Sequence, residues 1–123
     1  MDQDHYRSRK EGEIAGMLRR YSLNFRHEYP LAVLDREQLR LWYPDFLLPD
    51  QGVIIEYCGM QGSEAYDQGC LHKKEVLRQL GLQALFLEPA DLHGYWPDRI
   101  LEWVEGVQMR RLDGLRTAKK LKP

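Results

Sequence analysis

The chain has 123 residues, 43% hydrophobic and 30% charged, with a formal net charge of -1. A length of this order matches one core, and the balance argues against a disordered or membrane-embedded protein. Near-neutral charge neither requires nor forbids a nucleic-acid partner, because a local patch acts where the total does not. One domain over 1–123 is expected.

Ile14, Met17, Leu18 and Tyr21 follow the spacing of a helix with one buried face, starting near Ser8. Phe25, Tyr29, Leu31 and Val33 then recur at even spacing around Pro30, which predicts a bent or edge strand within 23–34. Residues 35–41 are polar and read as a connection. The apolar segment from Trp42 to Leu48 stops at Pro49-Asp-Gln-Gly, and Val53-Ile-Ile-Glu-Tyr-Cys follows at once, so a hairpin is the simplest reading. Between Glu64 and Leu80, Tyr66, Cys70, Lys73, Leu77 and Leu80 share one helical side, with Gly81 as a C-terminal cap. Gln83 to Glu88 is a short buried strand closed by Pro89, and strand-helix-strand units normally cross over right-handed and in parallel. Pro97 suits the first turn of a last helix with Ile100, Leu101, Trp103, Val104 and Val107 on its apolar side. The expected fold is α/β in the order α-β-β-β-α-β, a central mixed sheet flanked by helices, plus a C-terminal helix.

From residue 110 onward, Arg110, Arg111, Arg116, Lys119, Lys120 and Lys122 meet a single acid, Asp113. This basic, potentially flexible tail over 110–123 is either a tracker of phosphates or a solvated run. Cys58 and Cys70 form no Cys-x-x-Cys pair, which favours a reduced, cytoplasmic protein. No apolar run approaches the roughly 20 residues that span a bilayer, and the polar start lacks a signal-peptide shape, so no membrane role is expected. His5, His27, His72 and His93 lack metal-type pairing and read as surface or structural residues, while Tyr95, Trp96 and Trp103 suit a core or interface better than base stacking.

Alternation puts Ile54, Glu56 and Cys58 on one strand face and Val53, Ile55 and Tyr57 on the other. An ionised, unpaired carboxylate in so apolar a strand costs roughly several kcal/mol to bury, so Glu56 needs a cation, a donor or the strand's open end. Asp45 on the neighbouring strand is its natural companion. Two adjacent carboxylates repel unless a hard divalent ion such as magnesium joins them. Separately, Asp45 also fits a turn aspartate bonded to its own backbone, and Glu56 an arginine's partner. The hairpin that joins them favours convergence.

Tyr43-Pro-Asp-Phe-Leu-Leu, the turn Pro49-Asp-Gln-Gly and Val53-Ile-Ile-Glu-Tyr-Cys-Gly together resemble the PD-(D/E)xK, restriction-endonuclease-like nuclease superfamily. The resemblance runs from the first helix to about Pro89 and is similar to helicase-associated or stand-alone small nuclease domains. It implies Asp45 and Glu56 as ligands of Mg2+ or Mn2+, Glu28 as an upstream acid, and a further acid on the first helix. Glu11 is the preferred match, on the buried side, with Glu13 the alternative; Glu11 also suits a solvated helix N-terminus. Cys58 stands where the family's lysine would be, and Lys73 on the following helix is the substitute, or else a lysine that snorkels to solvent.

The expected activity is metal-dependent endonucleolytic cleavage of DNA in repair, recombination or restriction, with a homodimer and a helicase or repair partner as candidate associations. The alternatives are a catalytically degenerate nucleic-acid-binding domain of the same fold and a structural or protein-interaction domain docking through the last helix.

Overall fold

In the computed structural model, which describes residues 6–59 and 62–121, Ser8 opens helix α1 (Arg9–Arg20) by accepting the Glu11 N–H on its side-chain oxygen at 3.2 Å. This satisfies one of the donors that a helix start leaves over. Arg19 and Arg20 occupy the last turn, where cations suit the helix dipole. Ile14, Met17 and Leu18 are buried as the spacing predicts, with Ala15 beside them, whereas Tyr21, expected on the same face, is the C-terminal cap and is exposed.

The rest of the first unit is a mixed α/β arrangement. Contacts divide the chain into two compact units, Met1–Asp91 and Leu92–Pro123. The main sheet of the first unit is mixed and four-stranded, in the order β1 (Arg26–His27), β4 (Phe46–Leu48), β5 (Val53–Tyr57) and β6 (Gln83–Leu87). The hairpin β4–β5 is antiparallel, with Phe46 opposite Ile55 and Leu48 opposite Val53. Its turn closes where the Gly52 N–H donates to the Leu48 carbonyl at 2.8 Å, and Gly52 takes the positive φ of 65° that favours glycine. Helix α2 (Glu64–Gln79) carries the chain across to β6, which pairs in parallel with β5. Gly81, at φ 77°, ends α2 and lets the Leu82 N–H return to the Leu77 carbonyl at 2.9 Å.

Two expectations need correction. The strand expected within 23–34 is broken into β1 and a separate strand, β2 (Leu31–Asp35), and the expected connection over 35–41 contains β3 (Gln38–Trp42). The strands β2 and β3 form their own antiparallel ribbon, inserted between β1 and β4. Its inner face carries Leu31, Val33 and Trp42, and packs on Ile54, Val76 and Leu77. Its outer face, with Leu34, Leu39 and Leu41, is exposed. The sequence signal misleads because the ribbon's apolar residues alternate between a buried and a solvated side, and β3 is mostly exposed.

The opposite face of the main sheet presents Phe46, fully buried, with the rings of Phe25, His27 and Tyr6 centred 5.5, 5.7 and 6.2 Å away. In the second unit, helix α3 (Trp96–Leu121) has Pro97 in its first turn, and Ile100, Val104 and Val107 recur at helical spacing. The helix runs through Arg110 to Leu121, so the basic segment is helical to that point. Among the described residues, no helix is long and apolar enough to cross a membrane.

Phe46 adjoins Asp45 and fills the ring cluster, so Phe46→Ala should cost about 3–5 kcal/mol through lost burial and an unfilled cavity. Guanidinium denaturation should show the lower midpoint with an unchanged slope.

Candidate active site

The register of β4 and β5 sets Asp45 against Glu56, one step beyond the Phe46–Ile55 pair. The side chain of each acid is tied to backbone across the hairpin. The Asp45 N–H donates to Glu56 Oε2 at 2.9 Å, and the Tyr57 N–H donates to Asp45 Oδ2 at 2.7 Å. The Asp45 carbonyl meanwhile accepts the Glu28 N–H at 3.2 Å, which joins the hairpin to β1. Asp45 therefore binds backbone across the strands, not its own turn. Both carboxylates are buried, Asp45 at 7% exposure and Glu56 at 5%.

Lys73 projects from α2 with its Nζ 3.4 Å from Glu56 Oε1. Its side chain is half-exposed, so the stem covers the apolar face while the ammonium meets both the acid and water. Glu56 thus pairs with a lysine, not an arginine. Lys74 turns aside, its Nζ lying 5.4 Å from the centre of the Phe86 ring.

Glu11 is buried at 5% exposure, and its Oε1 has no hydrogen-bond partner. Glu13 is exposed and sits 3.7 Å from Lys10. Burial, reinforced by the negative charge of Asp45, raises the Glu11 carboxyl from 4.5 to about 7. Asp45 is also pushed up by burial, against the pull of the Tyr57 N–H and the charge of Lys73. Glu56 is pushed up by burial and by Asp45, again opposed by Lys73. Three acids thus crowd one end of the sheet, each resisting ionisation for the same cause, desolvation.

Glu28 lies at the edge of this group, in a left-handed backbone conformation with φ 53°. It is bound by Arg7, whose Nε is 2.9 Å from its Oε2. His27 stands between the acids, with Nε2 3.8 Å from Glu11 Oε1 and 4.0 Å from Glu28 Oε2. The sequence reading passed over Arg7 and placed His27 among surface or structural histidines. Their signals were weak: Arg7 precedes a helix cap and His27 precedes Glu28. His72, also read as surface or structural, holds Asp35 with Nε2 at 3.0 and 3.1 Å from its two oxygens.

Cys58 is buried, and burial together with the neighbouring Cys70 thiol pushes it up to about 12. It is neutral at physiological pH and supplies no charge to the acids. Arg110, Arg111 and Arg116 belong to the second unit and are exposed on α3, with Arg116 Nη1 3.7 Å from Asp113. At about 100° per residue they spread around the helix instead of lining one stripe. The side chains of Lys119 and Lys120 lie outside the described residues, as does Lys122.

A cleft of about 240 Å³ opens beside Glu56 and Lys73, walled by the ribbon through Trp42 and Leu41 and bordered by Arg7. Among the described residues, no three His, Cys, Asp or Glu side chains form a ready-made metal cage. The Asp45–Glu56 pair still fits a hard cation: its donors are all oxygen, the acids are held close by their backbone bonds, and magnesium typically takes only one or two carboxylates, completing its shell with water and phosphate. No protein-family model matches the chain, and no curated protein matches it.

The raised Glu11 carboxyl has a pH signature. The folded chain keeps a proton that the unfolded chain releases between about 4.5 and 7, so this group's contribution to stability declines as pH rises through that window. Glu11→Gln removes the penalty of ionisation. It should be more stable than the parent by about 1–3 kcal/mol near pH 8, and the gain should vanish at about pH 4. Thermal melts of both proteins across pH check this.

Proposed function

We propose that the protein is a divalent-metal-dependent nuclease that hydrolyses phosphodiester bonds of DNA on a restriction-endonuclease-like core. The observation that carries this reading is the convergence of Asp45 and Glu56 across the hairpin, Glu56 accepting the Asp45 N–H and Asp45 the Tyr57 N–H, beside Lys73. The element order supports it: with the ribbon set aside as an insertion, α1, β1, β4, β5, α2 and β6 follow the α-β-β-β-α-β succession expected from the resemblance.

Asp45 and Glu56 would hold Mg2+ or Mn2+, and the bound ion would supply a polarised phosphodiester and a water of lowered pKa. Lys73, on the Glu56 side, orients the attacking water or offsets charge growing on phosphorus, the part that neutral Cys58 leaves vacant. Glu11, raised to about 7, is suited to accept a proton near neutral pH. Glu28, fastened by Arg7, borders the group as an outer acid and can hold a water. A second reading, a degenerate domain that binds DNA without cutting it, is favoured by buried, neutral Cys58.

Binding of a cation requires deprotonated acids, so Mg2+ or Mn2+ should raise the melting temperature more near pH 8 than near pH 6. Asp45→Asn and Glu56→Gln keep an acceptor for the backbone N–H groups and should retain the parent circular dichroism while losing this response. Cleavage of plasmid, forked or single-stranded DNA should fall about 100-fold or more in both, and by a similar order in Lys73→Met. Cleavage at the parent rate in both acid variants would sink the assignment; metal-responsive binding without cleavage in the parent selects the degenerate reading.

A further inference from the structure

The cleft beside the acids is not an all-polar groove of the sort that a phosphate backbone alone would need. One wall is the ribbon, with Leu31, Leu41 and Trp42, and Tyr43 and Pro44 follow it directly; Arg7 and Lys73 stand around the same opening, with Glu56 inside. Tyr43 is 54% exposed, so a large aromatic group at the rim of the cleft is offered to solvent next to two cations and a carboxylate.

Trp42 is held from behind. It packs against the cluster of Val33, Ile54 and Leu77, and the His72 ring meets it edge to face with centroids 6.5 Å apart. His72 is itself fixed by both oxygens of buried Asp35. A ring held this firmly loses little freedom when a flat partner lies on it.

We propose that this cleft is a subsite for one unpaired nucleotide, its base stacked on Trp42 and Tyr43 and its phosphate drawn toward Arg7 and Lys73, so that the site acts on single-stranded or frayed nucleic acid in preference to continuous duplex. The inference rests on the reading that the site takes a phosphodiester. In a duplex both faces of a base are covered by its neighbours, so an aromatic wall gains contact only from a base that is out of the stack. The cleft unites the two chemistries of a nucleotide, a flat apolar ring and an anion, within one small volume. Glu56 lines the cleft beside Lys73, with the Asp45 N–H bonded to it, and there the scissile linkage would be delivered.

The test uses the full chain with Mg2+ and fluorescent oligonucleotides whose phosphorothioate linkages resist cleavage, in single-stranded DNA, single-stranded RNA and duplex DNA forms. Anisotropy should show a single strand, of DNA or RNA, binding on the order of tenfold more tightly than duplex. Tyr43→Ala, at an exposed position, should weaken single-strand binding by roughly tenfold and leave duplex binding unchanged. The single strand should also quench tryptophan fluorescence, and the quench should be absent from Trp42→Phe, which keeps a stacking ring. Equal affinity for duplex, no effect of Tyr43→Ala, a quench that survives Trp42→Phe, or no binding at all would each overturn the subsite.

A parallel cleavage assay on ordinary DNA separates the two readings. Metal-dependent cleavage lost in Asp45→Asn but without single-strand preference removes the subsite and leaves the nuclease. Tyr43-dependent single-strand binding without cleavage keeps the subsite and removes catalysis.

Discussion

Asp45 and Glu56 face each other across a hairpin in a part of the sheet that is otherwise apolar, and each carboxylate is held by a backbone N–H belonging to the other strand. Burying one unpaired carboxylate costs roughly several kcal/mol, and placing a second beside it adds repulsion. The backbone bonds offset part of this and fix the position of both carboxyl groups. Lys73 answers it from α2, and Arg7 and His27 stand around the outer acids. The carboxyl groups nevertheless remain raised, with burial the first cause in all three.

The scaffold around the acids is assembled to hold them still. Phe46, next in chain to Asp45, is locked among rings on one face of the sheet, while Ile54, two residues before Glu56, is locked against Val76 and Leu77 on the other. Alternation along a strand sends next neighbours to opposite faces and second neighbours to the same one, so Asp45 is anchored by Phe46 on the far face of the sheet and Glu56 by Ile54 on its own. The α2 helix that supplies Leu77 to this core also supplies Lys73, four residues earlier and one turn away, so the charge partner of Glu56 is positioned by packing.

The ribbon completes the cleft, and its own geometry is under constraint. Its turn places Arg36 and Glu37 at φ 52° and 65°, a left-handed pairing that costs roughly 1–2 kcal/mol per residue without glycine. Packing of Val33 on the core and the Asp35–His72 contact hold the ribbon beside α2 despite that cost. This gives the anionic pair an aromatic neighbour in Trp42 and distinguishes the cleft from a bare acidic surface.

The hairpin, the turn at Pro49–Gly52, the caps Ser8 and Gly81, and the choice of Glu11 over Glu13 for the buried side were all written in local pattern, because spacing and turn chemistry act over a few residues. The pairing of Asp45 with Glu56 was legible for the same reason: a short hairpin leaves little choice of register. The split of 23–42 into β1 and a separate ribbon was not, since the leucines at 39 and 41 face solvent and no local rule says which face of a ribbon the core will claim. Nor were the approach of Arg7 to Glu28 and of His27 to Glu11, or the contact of His72 with Asp35. Those meetings join residues on different elements, and only the way the elements pack decided which charges came within reach of one another.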